Sequence, residues 1–400
     1  MTPDELGTVF TQAKINKLEI SNRLVRSATY ECRATKRGFI TDDLIKVYEG
    51  LAQGGIGLTI TGMSYVRKDG NQLPKMIGNY SDEHIEGLTR LAGAYHDQAN
   101  EIDNNSKIFL QIGHCGIQAS TNGYSGELVS SSAMKNKIFK KVSRELSIEE
   151  IHNIAECFGE AVRRAKIAGF DGVQFHGAHG YLITQFYSPF MNKRIDEYGG
   201  STENRAKFVL NLLEESRKRV GNNFPITLKI NGSDRIQGGL MVDEASSLAA
   251  IFAKAGFDAL EISSYIWDTL MYDKPKSIPP EAQIKLRTRG IEAYNLELAK
   301  RIEQGLIENK KIPIILVGGL YRFKTIKSIL NETNIKFCSL SRPLIRQPNL
   351  PTIWREGPPF PDAECVHCNL CTQDFMLHGI NCKGVQCISK IHVQKKKKKI

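Results

Sequence analysis

The chain lacks both the long apolar segments of a membrane protein and the amino-terminal pattern of a secreted one. No uninterrupted hydrophobic stretch in its 400 residues approaches the roughly 20 residues that a transmembrane helix needs. The opening MTPDELGTVF carries two acids and no basic residue, whereas a secretory signal begins with a basic segment. Together these absences predict a cytoplasmic protein with no membrane partner.

Cysteine is scarce until the end of the chain. Five of the nine cysteines lie at Cys365, Cys368, Cys371, Cys382 and Cys387. In a cytoplasmic protein such crowding suggests a metal before a disulfide. The first four have the spacing C-x2-C-x2-C-x10-C, which is typical of metal sites and makes them the candidate ligands.

The net charge of +11 is concentrated at one end. Five lysines at 395–399 supply part of it, and 11 − 5 leaves +6 for the rest of the chain. A run of this kind favours a solvated terminus over a tether to nucleic acid or a membrane surface. No aromatic residue is interleaved with the lysines, so nucleic acid is not expected as a partner.

Short runs rich in β-branched residues alternate with segments of helical periodicity. Eight runs are predicted to be strands, at 24–28, 58–62, 108–112, 172–175, 227–230, 259–262, 314–317 and 337–339. Helices are predicted at 43–53, 81–100, 148–168, 202–220, 243–255, 292–308 and 323–331. The alternation predicts an α/β fold, a single (β/α)8 TIM barrel. A doubly wound sheet is the alternative, but it would carry G-x-G-x-x-G at its first strand-to-helix turn and none occurs there.

Local signals refine this layout. Ser147 and Glu150 form a predicted capping box before the helix at 148–168, and Asp243 is a candidate cap for the helix at 243–255. The segment 113–146, after the third strand, has little apolar periodicity and is predicted to be a cap or active-site loop. We expect residues 1–355 to form the barrel domain and residues 356–400 to form a Cys-rich tail with a basic terminus.

The most informative polar cluster follows the fourth predicted strand. His176, His179 and Tyr181 place two imidazoles and a phenol within six residues, where a strand of an α/β enzyme ends and its chemistry is usually found. They offer hydrogen-bond donors for an anion or a carbonyl and a candidate proton donor. One buried histidine would be ordinary, but a plain core would have to satisfy three polar rings in one segment.

Two further strand ends predict a phosphate site. Gly318 and Gly319 end the seventh strand, and Ser341 and Arg342 follow the eighth. Glycines let backbone amides approach a phosphate, and the arginine adds positive charge.

The third and fifth strand ends suggest what carries that phosphate. Gln111 can hydrogen-bond the pyrimidine edge of a flavin mononucleotide, and Lys229 can stabilise negative charge on the reduced ring. Taken alone, Lys229 would more simply be a lysine that reaches out of a strand end to solvent.

The chain resembles the Old Yellow Enzyme family of FMN-dependent NAD(P)H:flavin oxidoreductases. The resemblance covers about residues 5–355 and is carried by NRLVRSATYE (22–31), QIGHCG (111–116), FHGAHGYLITQFYSPFMNKRIDEYGGSTENR (175–205), ILVGG (315–319) and SRPLIRQPNL (341–350). It implies a TIM barrel with FMN at its carboxyl-terminal mouth.

The resemblance also implies roles for single residues. His176 and His179 would hold the electron-withdrawing oxygen of the substrate, and Tyr181 would protonate the α-carbon. Gln111 would contact the flavin pyrimidine and Lys229 would face its N1–O2 edge. The isoalloxazine ring would be contacted by Ala28, Thr29 and Met63, and the phosphate by Gly319, Ser341 and Arg342. Two departures stand out: Tyr30 occupies a position where many members have a threonine or cysteine, and Lys229 replaces the commoner arginine.

The cysteine segment is similar to one in the 2,4-dienoyl-CoA reductase and trimethylamine dehydrogenase branch of the family. There it holds a [4Fe–4S] cluster that passes electrons from a second flavin domain to the FMN. This chain stops at Ile400, before such a domain. Three alternatives stay open: a cluster fed by an external electron donor, a structural zinc site, or no metal.

The leading functional prediction is reduction of an activated C=C bond in a small molecule, such as an α,β-unsaturated carbonyl, with hydride from NAD(P)H. The alternative is a dienoyl-CoA reductase-like or amine dehydrogenase-like enzyme with an external electron partner. A tRNA-binding FMN barrel is a third alternative, but it would need a cysteine on a loop as its general acid, and no matching motif is present. A barrel that has lost catalytic turnover is a further alternative. A homo-oligomer is a candidate assembly.

Overall fold

The eight predicted strands are present and pair in parallel around a closed barrel. The computed structural model describes residues 6–120, 126–136, 141–266, 291–307, 310–372 and 381–391. The barrel strands are β1 (Leu24–Arg26), β2 (Leu58–Ile60), β3 (Lys107–Gly113), β4 (Gly172–Gly177), β5 (Ile226–Asn231), β6 (Leu260–Ser263), β7 (Ile314–Val317) and β8 (Phe337–Leu340). Each strand pairs with the next, and β8 closes on β1 where Leu340 pairs with Arg26. The (β/α)8 prediction is confirmed.

Helices surround the barrel. They are α1 (Asp42–Gln53), α2 (Ile85–Glu101), α3 (Ile148–Ile167), α4 (Thr202–Val220), α5 (Val242–Ala255), α6 (Leu296–Ile307), α7 (Phe323–Glu332) and α8 (Leu350–Arg355), with shorter helices at Leu182–Tyr187 and Arg342–Arg346. None of the helices in the described ranges is long and apolar enough to cross a membrane. The lysines at 395–399 lie outside the described residues.

Two helix starts test the capping predictions. Ser147 Oγ accepts a hydrogen bond from Glu150 N (3.2 Å) and Glu150 Oε2 accepts one from Ser147 N (2.9 Å), so the capping box of α3 is confirmed. The prediction for α5 is wrong, because the N-cap is Met241. Asp243 lies in the first turn instead, where a carboxylate still favours the helix dipole, and it pairs with Arg301 at 2.8 Å.

The amino-terminal end of the barrel is filled with apolar side chains. A hairpin of two strands, Ala13–Ile15 and Leu18–Ile20, precedes β1. Its Ile15 and Ile20 pack in one buried cluster with inward-facing residues such as Phe109. We call this buried cluster the apolar plug. Side chains alternate between the two faces of a strand, so the next inward-facing residue on each strand is two positions further along. These residues form the next layer inside the barrel. That layer is polar, and it lies toward the carboxyl ends of the strands.

The excursion after β3 is present as a small sheet. Its strands are Leu128–Ser130, Met134–Asn136 and Lys141–Glu145. Gln118, in the same excursion, donates from Nε2 to the carbonyls of His179 (3.2 Å) and Gly180 (2.6 Å). The excursion therefore supports the β4 loop from behind.

The tail lies against the barrel. Phe360 stacks on Phe323 with ring centroids 4.1 Å apart, and Trp354 Nε1 donates to Pro361 O at 2.8 Å. Further along, Val385 N donates to Glu31 O at 2.9 Å, which ties the tail to the segment that follows β1. The domain boundary at residue 355 stays a prediction.

Candidate active site

Two adjoining cavities, of about 310 and 420 Å³, lie at the carboxyl ends of the barrel strands. They share part of their walls, including Ala28, Thr29 and Lys229. The structure brings the sequence-predicted catalytic and flavin-contacting residues together there: Ala28, Thr29, Met63, Gln111, His176, His179, Tyr181 and Lys229 line the first cavity, and Gly318, Gly319, Ser341 and Arg342 line the second.

His176 and His179 form one corner of the first cavity. His176 is the inward-facing residue at the end of β4, and His179 lies in the following turn with a φ of 65°. Their rings meet edge to face with centroids 5.1 Å apart. His176 Nδ1 accepts a hydrogen bond from Ala178 N at 3.3 Å, so Nε2 carries the proton when the ring is neutral.

Both imidazoles are held neutral. Burial is the main cause, followed by the neighbouring His179 and Lys229 charges, and together they hold the pKa of His176 well below its ordinary 6.5. Burial and then Lys229 lower the pKa of His179 to about 3. His179 Nε2 is also hydrogen bonded to Ser263 Oγ at 2.8 Å, which fixes the ring orientation. At neutral pH each ring therefore carries a single N–H and no positive charge.

Tyr181 completes the cluster from the start of the short helix Leu182–Tyr187. Its ring packs edge to face against His176 with centroids 4.8 Å apart. Its hydroxyl donates to Gln72 Oε1 at 2.7 Å. The phenolic proton is thereby held at the cavity wall, beside the two imidazoles.

The floor of the first cavity is a polar layer inside the barrel. Lys229 Nζ lies 2.9 Å from Ser27 Oγ and 3.3 Å from Glu261 Oε2. Gln111 Nε2 donates to Gln174 Oε1 at 2.7 Å. Both Lys229 and Gln111 are buried yet line the cavity, so Lys229 is not the solvent-directed lysine of the simpler reading.

The second cavity has the features of a phosphate cradle. Gly318 and Gly319 have φ values of 136° and 70°, which L side chains rarely adopt. A Cβ on Gly319 would meet Ile291 O at 3.0 Å, so a side chain there would have to displace its neighbours. Arg342 lies beside them and hydrogen bonds Asn369 of the tail. Glycine backbone amides and a guanidinium suit an anionic phosphate.

Several lining residues had no signal in the sequence. The segment between β2 and α2 supplies Gln72 and Met76 to the first cavity, and Tyr265 and Tyr294 close its far side. They lie in irregular segments, where no periodic pattern marks which side chain points inward. In the described part of the excursion after β3, no residue lines either cavity.

Tyr30, the departure noted in the first motif, lines both cavities. Its hydroxyl hydrogen bonds Pro74 O, and burial, followed by a hydrogen bond to Cys32, raises its pKa far above 10. The phenol therefore stays neutral and acts as a wall of the site.

The four candidate metal ligands are not gathered at one point. Cys365, Cys368 and Cys371 line a small cavity together with Cys387. Cys382 is fully buried and does not line this cavity; it packs in a cluster with Cys32 and Val385, against which Cys371 also packs, and its Sγ accepts a hydrogen bond from Gly384 N at 3.2 Å. Within the ranges that the structure describes, no three His, Cys, Asp or Glu side chains are close enough to hold a metal ion. The four-cysteine metal site stays a prediction that this arrangement does not fit.

Comparison with known proteins places the chain in a family. The sequence pattern of the NADH:flavin oxidoreductase / NADH oxidase family matches residues 8–359. An NADH oxidase of Thermoanaerobacter brockii is 31% identical over 366 residues, which cover 90% of this chain and 53% of the relative. An NADPH dehydrogenase of Clostridium acetobutylicum is 32% identical over 343 residues, which cover 85% and 92%.

Solved structures agree on the fold. A 2-naphthoyl-CoA reductase in complex with 2-naphthoyl-CoA has a TM-score of 0.81 at 26% identity, covering 92% of this chain and 54% of that one. An old yellow enzyme homologue from Zymomonas mobilis has a TM-score of 0.71 at 24% identity, covering 89% and 94%. This chain spans about half the length of the NADH oxidase and of the naphthoyl-CoA reductase.

The cradle of two glycines suits the phosphate of FMN, and the buried lysine and glutamine suit its ring. The family match extends over the whole barrel and agrees with the fold and with these residues. The chain therefore belongs to the NADH:flavin oxidoreductase / NADH oxidase family, the Old Yellow Enzyme family, with FMN as its cofactor.

Proposed function

We propose that this chain reduces a C=C bond conjugated to a carbonyl group in a small molecule. The observation that carries the proposal is the corner formed by His176, His179 and Tyr181: two neutral imidazoles and a phenol, with adjacent rings 4.8–5.1 Å apart, on the wall of the cavity above Lys229. Gln111, Lys229 and the cradle of Gly318 and Gly319 would hold FMN, which would supply hydride, drawn from NAD(P)H, for the β-carbon of the substrate.

The two histidines act on the carbonyl oxygen. Negative charge grows on this oxygen as the β-carbon gains hydride, and fixed N–H donors stabilise it without having to reorganise. Neutral rings suit the task, because a protonated imidazole beside Lys229 would itself be destabilised in a buried site. Loss of one such donor typically costs about 10²–10³-fold in rate.

Tyr181 acts on the α-carbon. Its hydroxyl already lies in the cavity wall, hydrogen bonded to Gln72 at 2.7 Å, so a small rotation of the O–H redirects the proton toward the substrate. A positioned general acid of this kind typically contributes about 10²–10⁴-fold.

Conjugated thioesters belong to the same chemical class as enones. The complex of the 2-naphthoyl-CoA reductase contains an aryl thioester. Its likeness to this chain supports acyl-CoA thioesters, together with simple enones, as substrate candidates.

The test is reduction of a panel of enones, enals and conjugated acyl-CoA thioesters by FMN-loaded protein with NADH or NADPH under anaerobic conditions. The variant with both His176→Ala and His179→Ala should keep its FMN and lose turnover by at least about 10³-fold. The matched control is His152→Ala, because His152 is an exposed histidine on α3 that lines neither cavity. Normal turnover in the double variant would remove the assigned role, and a protein that binds no FMN would remove the cofactor placement as well.

A second candidate is an enzyme that exchanges electrons with an external partner, as in dienoyl-CoA reductase-like or amine dehydrogenase-like catalysis. It is favoured by the position of the tail, because His367, Asn369 and Cys371 form part of the wall of the phosphate cavity. A relative of 35% identity over 251 residues is an N,N-dimethylglycine/sarcosine dehydrogenase. This candidate would be supported over the first if, under anaerobic conditions, NAD(P)H fails to reduce the flavin and a methylated amine or a one-electron donor reduces it.

A further inference from the structure

The buried carboxylate of Glu261 lies directly beneath the flavin site without lining either cavity. It faces inward from β6, is fully shielded from solvent and belongs to the polar layer above the apolar plug. Its register partner on β5 is Lys229, and Gln174 on β4 is in register with Gln111 on β3. Isolated buried carboxylates are strongly disfavoured, so this one must be matched by its neighbours.

Three neighbours satisfy the carboxylate. Ser27 Oγ donates to Oε1 at 2.9 Å, Gln174 Nε2 donates to Oε2 at 2.9 Å, and Lys229 Nζ lies 3.3 Å from Oε2. Lys229 Nζ also donates to Ser27 Oγ at 2.9 Å, which links the three strand ends β1, β5 and β6. An ionised carboxylate only accepts hydrogen bonds, so it dictates the direction of every bond in this group.

The direction is transmitted to the cavity. Because Gln174 must turn its NH2 toward Glu261, its Oε1 faces Gln111 and accepts from Gln111 Nε2 at 2.7 Å. Gln111 therefore has its own Oε1 and its second N–H left for a ligand. This donor and acceptor pair lies side by side, as the pyrimidine edge of a flavin requires.

The carboxylate also sets the charge of the floor. The positive charge of Lys229 favours the reduced flavin, which carries negative charge near N1–O2. Glu261, 3.3 Å behind the lysine, offsets part of that charge in a region of low dielectric. Replacement by a neutral isostere would leave the lysine charge less compensated on the side that faces the ring.

We propose that Glu261 is a positioning residue that sets both the reduction potential of the bound flavin and the hydrogen-bond pattern offered to its pyrimidine. The proposal rests on the placement of the FMN ring over Lys229 and Gln111. It concerns the flavin alone and is independent of which substrate the enzyme reduces.

The first measurement is the midpoint potential of bound FMN at pH 7 in the FMN-loaded protein. Glu261→Gln should raise it, shifting the ratio of reduced to oxidised flavin at least tenfold, about 30 mV for a two-electron couple. Lys229→Met should lower it, and Glu261→Asp should return it toward the parent value. A potential that stays unchanged or falls in Glu261→Gln overturns the charge argument.

The second measurement tests the chain of amides and keeps both charges of the ion pair, although Glu261 Oε2 loses its hydrogen bond from Gln174. Gln174→Leu leaves Lys229 and Glu261 in contact but breaks the link to Gln111, so FMN should bind at least fivefold more weakly while its potential changes less than in Glu261→Gln. Affinity equal to that of the parent protein overturns the orientation argument. Both readouts need only bound flavin, so a protein that binds FMN normally but reduces no enone would refute the proposed function and leave this test intact.

Discussion

Tyr181→Phe separates the proton donor from the rest of the site. The ring is buried and packs edge to face on His176, so phenylalanine keeps that packing and only the hydroxyl is lost. The hydroxyl makes the 2.7 Å hydrogen bond to Gln72 Oε1. Because Gln72 is half-buried at the cavity, water can replace the lost partner, and we expect a stability loss of about 1 kcal/mol.

The effect on catalysis should be much larger and confined to one half-reaction. Loss of a general acid typically costs about 10²–10⁴-fold, or about 3–5 kcal/mol in the activation free energy. Reduction of the flavin by NAD(P)H needs no such acid and should keep its rate. Anaerobic stopped-flow mixing, first with NADPH and then with an enone, measures the two half-reactions separately.

Tyr65→Phe is the control for this experiment. Tyr65 packs in the same buried cluster as Tyr181 but lines neither cavity, so its hydroxyl should not affect the enone step. If Tyr181→Phe reoxidises with the enone within threefold of the parent rate, Tyr181 is not the proton donor and the reasoning fails.

Three further predictions concern the phosphate cradle, acid stability and the cysteines. Gly319→Ala should weaken FMN binding at least tenfold in a fluorescence titration because its Cβ would meet Ile291 O at 3.0 Å, whereas Gly169→Ala, with a similar φ of 86° but open space, should leave FMN binding unchanged. His179, with its pKa lowered to about 3 by burial, takes up a proton more readily when unfolded, so the free energy of unfolding should fall as the pH drops from about 6.5 toward 3, and urea titrations of His179→Asn should show a shallower fall. If the predicted metal site exists, anaerobically purified Cys382→Ser should contain less iron or zinc than the parent protein. If only Cys387→Ser loses the metal, the fourth metal ligand is Cys387, which lines the same cavity as Cys365, Cys368 and Cys371.

The barrel and much of the site could be predicted because each depends on local pattern. Runs of β-branched residues mark strands whatever their neighbours are, and strand ends of a parallel barrel meet at one mouth. That geometry is why His176, Lys229 and Gly319, far apart in sequence, could be assigned to one place. The capping box of Ser147 and Glu150 is equally local and was correctly predicted.

What could not be predicted depends on packing between distant segments. Gln72 reaches the site from an irregular loop, where no periodicity fixes the direction of its side chain. In the sequence, Glu261 is a single polar residue in a buried strand. Only the register of β5 and β6 shows that its partner is Lys229. Asp243 is an ordinary capping residue type, but the turn before α5 places Met241 at the cap instead. The spacing of the cysteines could not show that Cys382 packs against Cys32 and is absent from the small cavity that the other three line.

The central claim is that the corner of His176, His179 and Tyr181 activates a conjugated C=C bond for hydride transfer. It is tested most directly by mixing NADPH-reduced, FMN-loaded protein with 2-cyclohexen-1-one without dioxygen and following flavin absorbance together with the product. The account predicts rapid return of the oxidised flavin spectrum with stoichiometric cyclohexanone, and at least about 10³-fold slower return in the variant with His176→Ala and His179→Ala. Equal rates in the two proteins, or reoxidation without the saturated ketone, would contradict it.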